Sequence, residues 1–149
     1  MGAVTYPQPE IISFINQNFI PLQLPPEGPV SDKFFVRWTP ILLFLDPKGN
    51  DHHRIVGFLP PEHFLPALML GLAKTKWSVS DWSGAEPWFD RVLDQHPQSH
   101  AAPESVYLRA ICRYRLSQDA SHLKKGFEQV TRDYPATEWA QRCQPYRLI

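Results

Sequence analysis

Trp38-Thr39-Pro40-Ile41-Leu42-Leu43-Phe44-Leu45-Asp46-Pro47-Lys48-Gly49-Asn50 is the stretch from which the rest of the chain can be placed. Residues 41–46 form a continuous apolar run closed by an aspartate, the composition of a strand buried on both faces. PKGN, 47–50, carries the residues that favour a turn. HHRIVGF, 52–58, then reads as the antiparallel return strand.

Working outward toward the start, residues 8–18, QPEIISFINQN, predict a helix. Pro9 suits its first turn, and Glu10 suits the positive end of its dipole. Ile11, Ile12, Phe14, Ile15 and Phe19 recur at helical spacing. FIPLQL, 19–24, predicts a short strand, PPEGP, 25–29, a loop, and residues 31–36 one or two helical turns. On the other side of the hairpin, residues 59–74 predict a helix with prolines at its start. A seam is expected at about Thr75 to Ser80, after which only helical patterns occur.

The order of these elements, with Trp38-Thr39-Pro40, the Asp46-Pro47-Lys48-Gly49 turn and Arg54-Ile55-Val56-Gly57, resembles the thioredoxin-like fold. Phe14, Asn18-Phe19-Ile20-Pro21 and Leu22 resemble the first helix and second strand of such domains. The resemblance covers residues 4 to 74. It implies a cis proline at Pro40, in the loop that faces the redox cysteines in that family. This chain departs from the pattern in the redox motif itself. The family's first strand and C-x-x-C precede the first helix. Here Met1 lies only about ten residues before it, and no cysteine occurs before Cys112. In that fold the first strand is central, so its loss leaves the 19–24 strand without a neighbour. Three explanations stand open: an incomplete start, a stub of strand from residues 2–6, or a strand donated by another chain.

The second half carries a repeat. Phe89-Asp90-Arg91-Val92-Leu93-Asp94-Gln95-His96-Pro97 recurs 38 residues later as Phe127-Glu128-Gln129-Val130-Thr131-Arg132-Asp133-Tyr134-Pro135, and Ala102 matches Ala140 at the same offset. Four helices are expected, over residues 81–97, 99–119, 121–135 and 136–146. Apolar helices that recur with small residues at matched places stack as antiparallel pairs. Trp82, Ala85, Phe89 and Pro97, then Tyr107, Ala110 and Tyr114, resemble tetratricopeptide repeats. The period of 38 departs from that family's 34, and Pro87 is expected to kink the first helix or shift its start. The resulting class is α/β: a partial, three-stranded thioredoxin-like sheet with flanking helices (residues 1–75), then an all-α tetratricopeptide-like segment (80–149).

Other chemistries find little support. The 15 basic and 15 acidic residues cancel, so charge gives no case for nucleic acid or an anionic membrane. No signal peptide or membrane-spanning run is visible, and a cytoplasmic location is expected. Cys112 and Cys143 stand 31 residues apart, too few and too far for a C-x-x-C pair or a disulfide framework, and read as half-buried thiols. His52 and His53 point to opposite faces of a strand, and Pro97 separates His96 from His100, so no metal site is expected. No Gly-rich phosphate loop and no G-x-S-x-G elbow occurs. Glu10, Glu62, Glu86 and Glu104 read as helix-dipole partners. No catalytic group and no cofactor is expected.

These readings point away from an enzyme and toward a non-catalytic protein-interaction or scaffold module with a protein or peptide partner. Its candidate contacts are Trp38, Thr39 and Pro40 in the first half, and Tyr107, Arg109, Arg113 and Tyr114 in the second. Trp38 reads equally as an exposed contact and as cover for the sheet edge. The four helical residues read as the lining of a peptide groove or as core and solvated face. The alternative is a thiol–disulfide oxidoreductase whose first strand and C-x-x-C are missing from this chain. A third reading is a structural subunit completed by another chain, as a homodimer or by strand donation.

Overall fold

The computed structural model describes residues 1–149. It contains seven α-helices, one two-stranded antiparallel sheet and a C-terminal 3-10 turn. The chain divides into two compact units, Met1–Leu65 and Pro66–Ile149.

In the first unit, α1 (Pro9–Asn18) begins on Pro9 at its first position, where the missing N–H costs nothing. Of its apolar residues only Ile11 and Phe14 are buried. A short α2 (Pro29–Lys33) follows. Strands β1 (Ile41–Leu45) and β2 (Asp51–Val56) pair with Ile41 opposite Val56 and Phe44 opposite His53, and the register slips between Phe44 and Leu45. Asp46 holds the turn. Its Oδ1 accepts from the amides of Lys48 (2.8 Å) and Asn50 (2.9 Å), and its Oδ2 from the Asn50 side chain (2.7 Å). Gly49 sits at φ 79°, a left-handed conformation that glycine adopts without a Cβ penalty. The hydrogen bonds to Asp46 hold its carboxyl well below the usual carboxylate range.

Two expectations fail in this unit. Residues 19–24 form no strand: residues 20–24 make no backbone–backbone hydrogen bond, and the sheet has two strands, not three. Pro21 has no N–H to give a ladder, and apolar composition cannot make a strand without a neighbour. Residues 2–6 form no strand stub either. The amides of Val4, Thr5 and Tyr6 all bond the Met1 carbonyl, which curls this segment into a turn. Thr5 is fully buried there and donates to the Leu59 carbonyl at 2.8 Å.

Helix α3 (Pro61–Ser78) crosses from the first unit into the second and runs through Pro66 and the expected seam as far as Ser78. The second unit continues with α4 (Trp82–Gln95), α5 (Ala101–Ser117), α6 (Ser121–Asp133) and α7 (Glu138–Arg142). The carboxylate of Asp81 accepts from the Gly84 amide at 3.0 Å and caps α4, which starts at Trp82 and continues through Pro87. The repeat is visible in the packing. Val92 and Val130 are both fully buried, as is Ala102, and Ala140 is nearly so. Val106, Val130, Ala140 and Cys143 form one cluster, flanked by Leu93, Phe127 and Tyr134. Each fully buried Val or Phe here contributes about 2 kcal/mol through apolar surface removed from water.

Candidate functional site

The first unit buries few apolar side chains, namely Ile11, Phe14, Phe44 and Phe64. It leaves many of the same kind outside. Ile20 is 99% exposed, Leu22 78%, Phe35 70% and Trp38 69%. Leu24, Val56 and Phe58 are exposed as well. Scattered apolar residues on a surface need no explanation, whereas this small unit exposes more large apolar side chains than it buries.

Two local features organise this set. The first is the run 20–27, exposed at every position and free of ladder bonds. Its backbone leaves α1 in an extended conformation at Phe19 (φ −134°, ψ 160°). Phe19 anchors the run, with its ring 5.6 Å from that of Phe44 on β1 and 6.3 Å from that of Phe14 on α1. The second is β1. All five of its residues are apolar, yet only Phe44 is buried. An all-apolar strand of this kind is normally covered on both faces. Neither Ile41–Leu45 nor residues 19–24 carries a charge, the usual guard against pairing at an open edge.

Trp38, Thr39 and Pro40 lie directly before β1. Trp38 and Thr39 are exposed and Pro40 is half-buried, so Trp38 faces solvent and does not cover the sheet. The Thr39–Pro40 peptide bond is cis, and the Pro40 carbonyl accepts from the Gly57 amide at 2.8 Å. The loop is thus tied to the end of β2.

In the second unit the structure brings the four candidate residues together as two pairs on roughly opposite sides of α5. Tyr107 lies with its ring centroid 5.5 Å from Trp139 and stacks on Tyr146 at 6.2 Å. Tyr114, one face with Tyr107, is half-buried. Arg109 and Arg113 face the flanking helices. Arg109 donates to Asp90 and to Gln129, both at 2.7 Å. Arg113 donates to Glu86 at 2.6 Å and to Asp90 at 3.1 Å. These guanidinium groups are engaged within the bundle, which ties α5 to α4 and α6. Glu86, expected near a helix start, instead sits inside α4 as the Arg113 partner.

The thiols offer no nucleophile. Cys112 and Cys143 are buried, and desolvation pushes their pKa values to about 12 and about 11. No group of three or more His, Cys, Asp or Glu side chains is placed to hold a metal ion. No helix is long and apolar enough to cross a membrane. No family model, curated protein or solved structure matches this chain.

Proposed function

We propose that this protein is a non-catalytic interaction module built on a thioredoxin-like first unit without its redox pair and a tetratricopeptide-like second unit. Its binding surface is the uncharged apolar edge formed by residues 20–24, the Trp38–Pro40 loop and β1. The observation that carries this reading is the run 20–24. It is extended where it leaves α1, lacks ladder bonds and presents Ile20 and Leu22 to solvent. A polypeptide in strand conformation supplies what this edge lacks, with backbone hydrogen bonds giving affinity and apolar pockets giving register. Thiol–disulfide exchange gains no support from these residues, whose two thiols are buried and protonated at neutral pH.

The test is photo-crosslinking in the source cells. A benzophenone amino acid replaces Ile20 or Trp38, with exposed Gln118 of the second unit as the control position. Covalent adducts to another polypeptide at positions 20 and 38, above the level at 118, are the expected result. Equal or absent adducts at all three positions would reject the surface.

A further inference from the structure

Phe35 stands in a left-handed backbone conformation, φ 53°, where a residue with a Cβ is strained. The local geometry is a helix stop. Helix α2 ends with Phe34 as its C-cap. The Phe35 amide bonds the Asp32 carbonyl at 3.0 Å, and the Val36 amide bonds the Ser31 carbonyl at 2.9 Å. In a stop built on these two bonds the residue after the cap is left-handed, and glycine is the usual occupant.

A large aromatic residue in that place costs stability, and burial does not offset the cost, because Phe35 is 70% exposed. Ser80 (φ 62°) and Gln118 (φ 60°) share the conformation, but both are polar. Phe35 is the one large apolar side chain that is held in this strained conformation and kept in water. Strained residues of this kind cluster at ligand-contacting positions.

Two side-chain hydrogen bonds fix where α2 sits. The buried Ser31 hydroxyl donates to the Pro25 carbonyl at 2.9 Å, which ties the helix to the end of the exposed run 20–24. The Phe34 carbonyl accepts from the Arg54 guanidinium at 2.7 Å, and Arg54 lies opposite Leu43 of β1. The helix thus bridges the run and the hairpin. Phe35 follows directly on that bridge, on the same loop as exposed Trp38. Residues 19–24 and 41–45 carry no charge, so a charged side chain buried against them would find no partner there.

We infer that Phe35 is an aromatic anchor of the docking edge, held outward by the strained stop of α2, and that an uncharged apolar segment of the docked polypeptide packs on its ring. The inference rests on the proposed docking of an extended polypeptide at this edge. Aromatic side chains are enriched in the buried centres of interfaces, and the bound segment supplies the burial that the chain itself does not give Phe35.

The experiment places the benzophenone amino acid at position 20 of the full-length chain in the source cells, in the parent and in Phe35→Gly and Phe35→Asn. Both replacements accept a left-handed conformation and remove the ring. Adduct yield at position 20 should fall about tenfold in both variants, the effect of losing one interface anchor. Purified Phe35→Gly should melt about 2–4 °C above the parent, because the strain is relieved. Adducts that form in the parent and persist unchanged in either variant would overturn the inference while leaving the docking edge in place. A lower melting temperature for Phe35→Gly would overturn it as well, since the ring would then serve the fold. No adducts in the parent would reject the docking edge itself, and this inference with it.

Discussion

The hydroxyl of Tyr134 reaches back to the first copy of the repeat and donates a 2.8 Å hydrogen bond to the carbonyl oxygen of Pro97. This bond joins the C-terminal ends of α4 and α6 through side chain and backbone, and the Tyr134 ring packs on the Val106–Val130 cluster at the same time. Tyr134→Phe keeps the ring and removes only the bond. A loss of about 1 kcal/mol in urea unfolding is expected. No change in unfolding free energy would mean that the bond exchanges with water at no cost.

Close approach of α5 and α6 depends on Gly126, which is buried opposite Ala110. A methyl group at position 126 would overlap the Ala110 methyl. Alanine favours helix over glycine by about 1 kcal/mol. Overpacking costs about 1–3 kcal/mol and should outweigh that gain, so Gly126→Ala is expected to destabilise. Adding Ala110→Gly should restore most of the loss. A double variant no more stable than Gly126→Ala would show that the contact is not the cause.

The Asp46 turn sets a pH dependence for the hairpin. Bonds from Asn50, Lys48 and His52 favour the ionised carboxylate, so its folded pKa lies below its unfolded value. A depressed acid pKa adds stability above the unfolded pKa, and that stability is lost as pH falls below about 4. Asp46→Asn should be less stable than the parent at neutral pH, and the gap should shrink as pH falls toward 2. Chemical unfolding across that range would measure it. A gap of constant size would rule out the carboxylate as the source.

Both cysteines should resist alkylation near neutral pH while the chain is folded. Burial of Cys112 and Cys143 removes access, and thiols raised to about 12 and about 11 hold almost no thiolate. Mass spectrometry should find two rapid additions in concentrated guanidinium and very slow addition without it. Rapid modification of either cysteine in the folded protein would contradict its placement.

The hairpin of β1 and β2 is legible in the sequence because its signals are local. The run Ile41–Leu45, the Asp46 and Gly49 turn and the β-branched Ile55 and Val56 all lie within sixteen residues. The repeat is legible too, since Val92 and Val130 mark buried positions that a fixed offset reveals. Residues 19–24 mislead for a physical reason. Phe19, Ile20 and Leu22 have strand-forming side chains, but a strand is defined by its neighbour, and Pro21 withholds a donor. The pairing of Arg109 and Arg113 is not legible in the sequence. Exposed and ion-paired arginines share one sequence pattern, and only packing places Asp90 and Glu86 against them.

The spacing of the prolines along the open edge limits what can grow there. Sheet edges without charges template one strand after another, which is the route to fibrils. Here Pro21, Pro25 and Pro26 interrupt the run, so regular hydrogen bonding extends over only three residues, Leu22 to Leu24. A short, selected segment can dock on so brief a stretch, whereas stacking of copies without end would meet a missing donor on either side. The protein can thus keep Ile20 and Leu22 in water without the run 20–26 offering a continuous template for stacked strands.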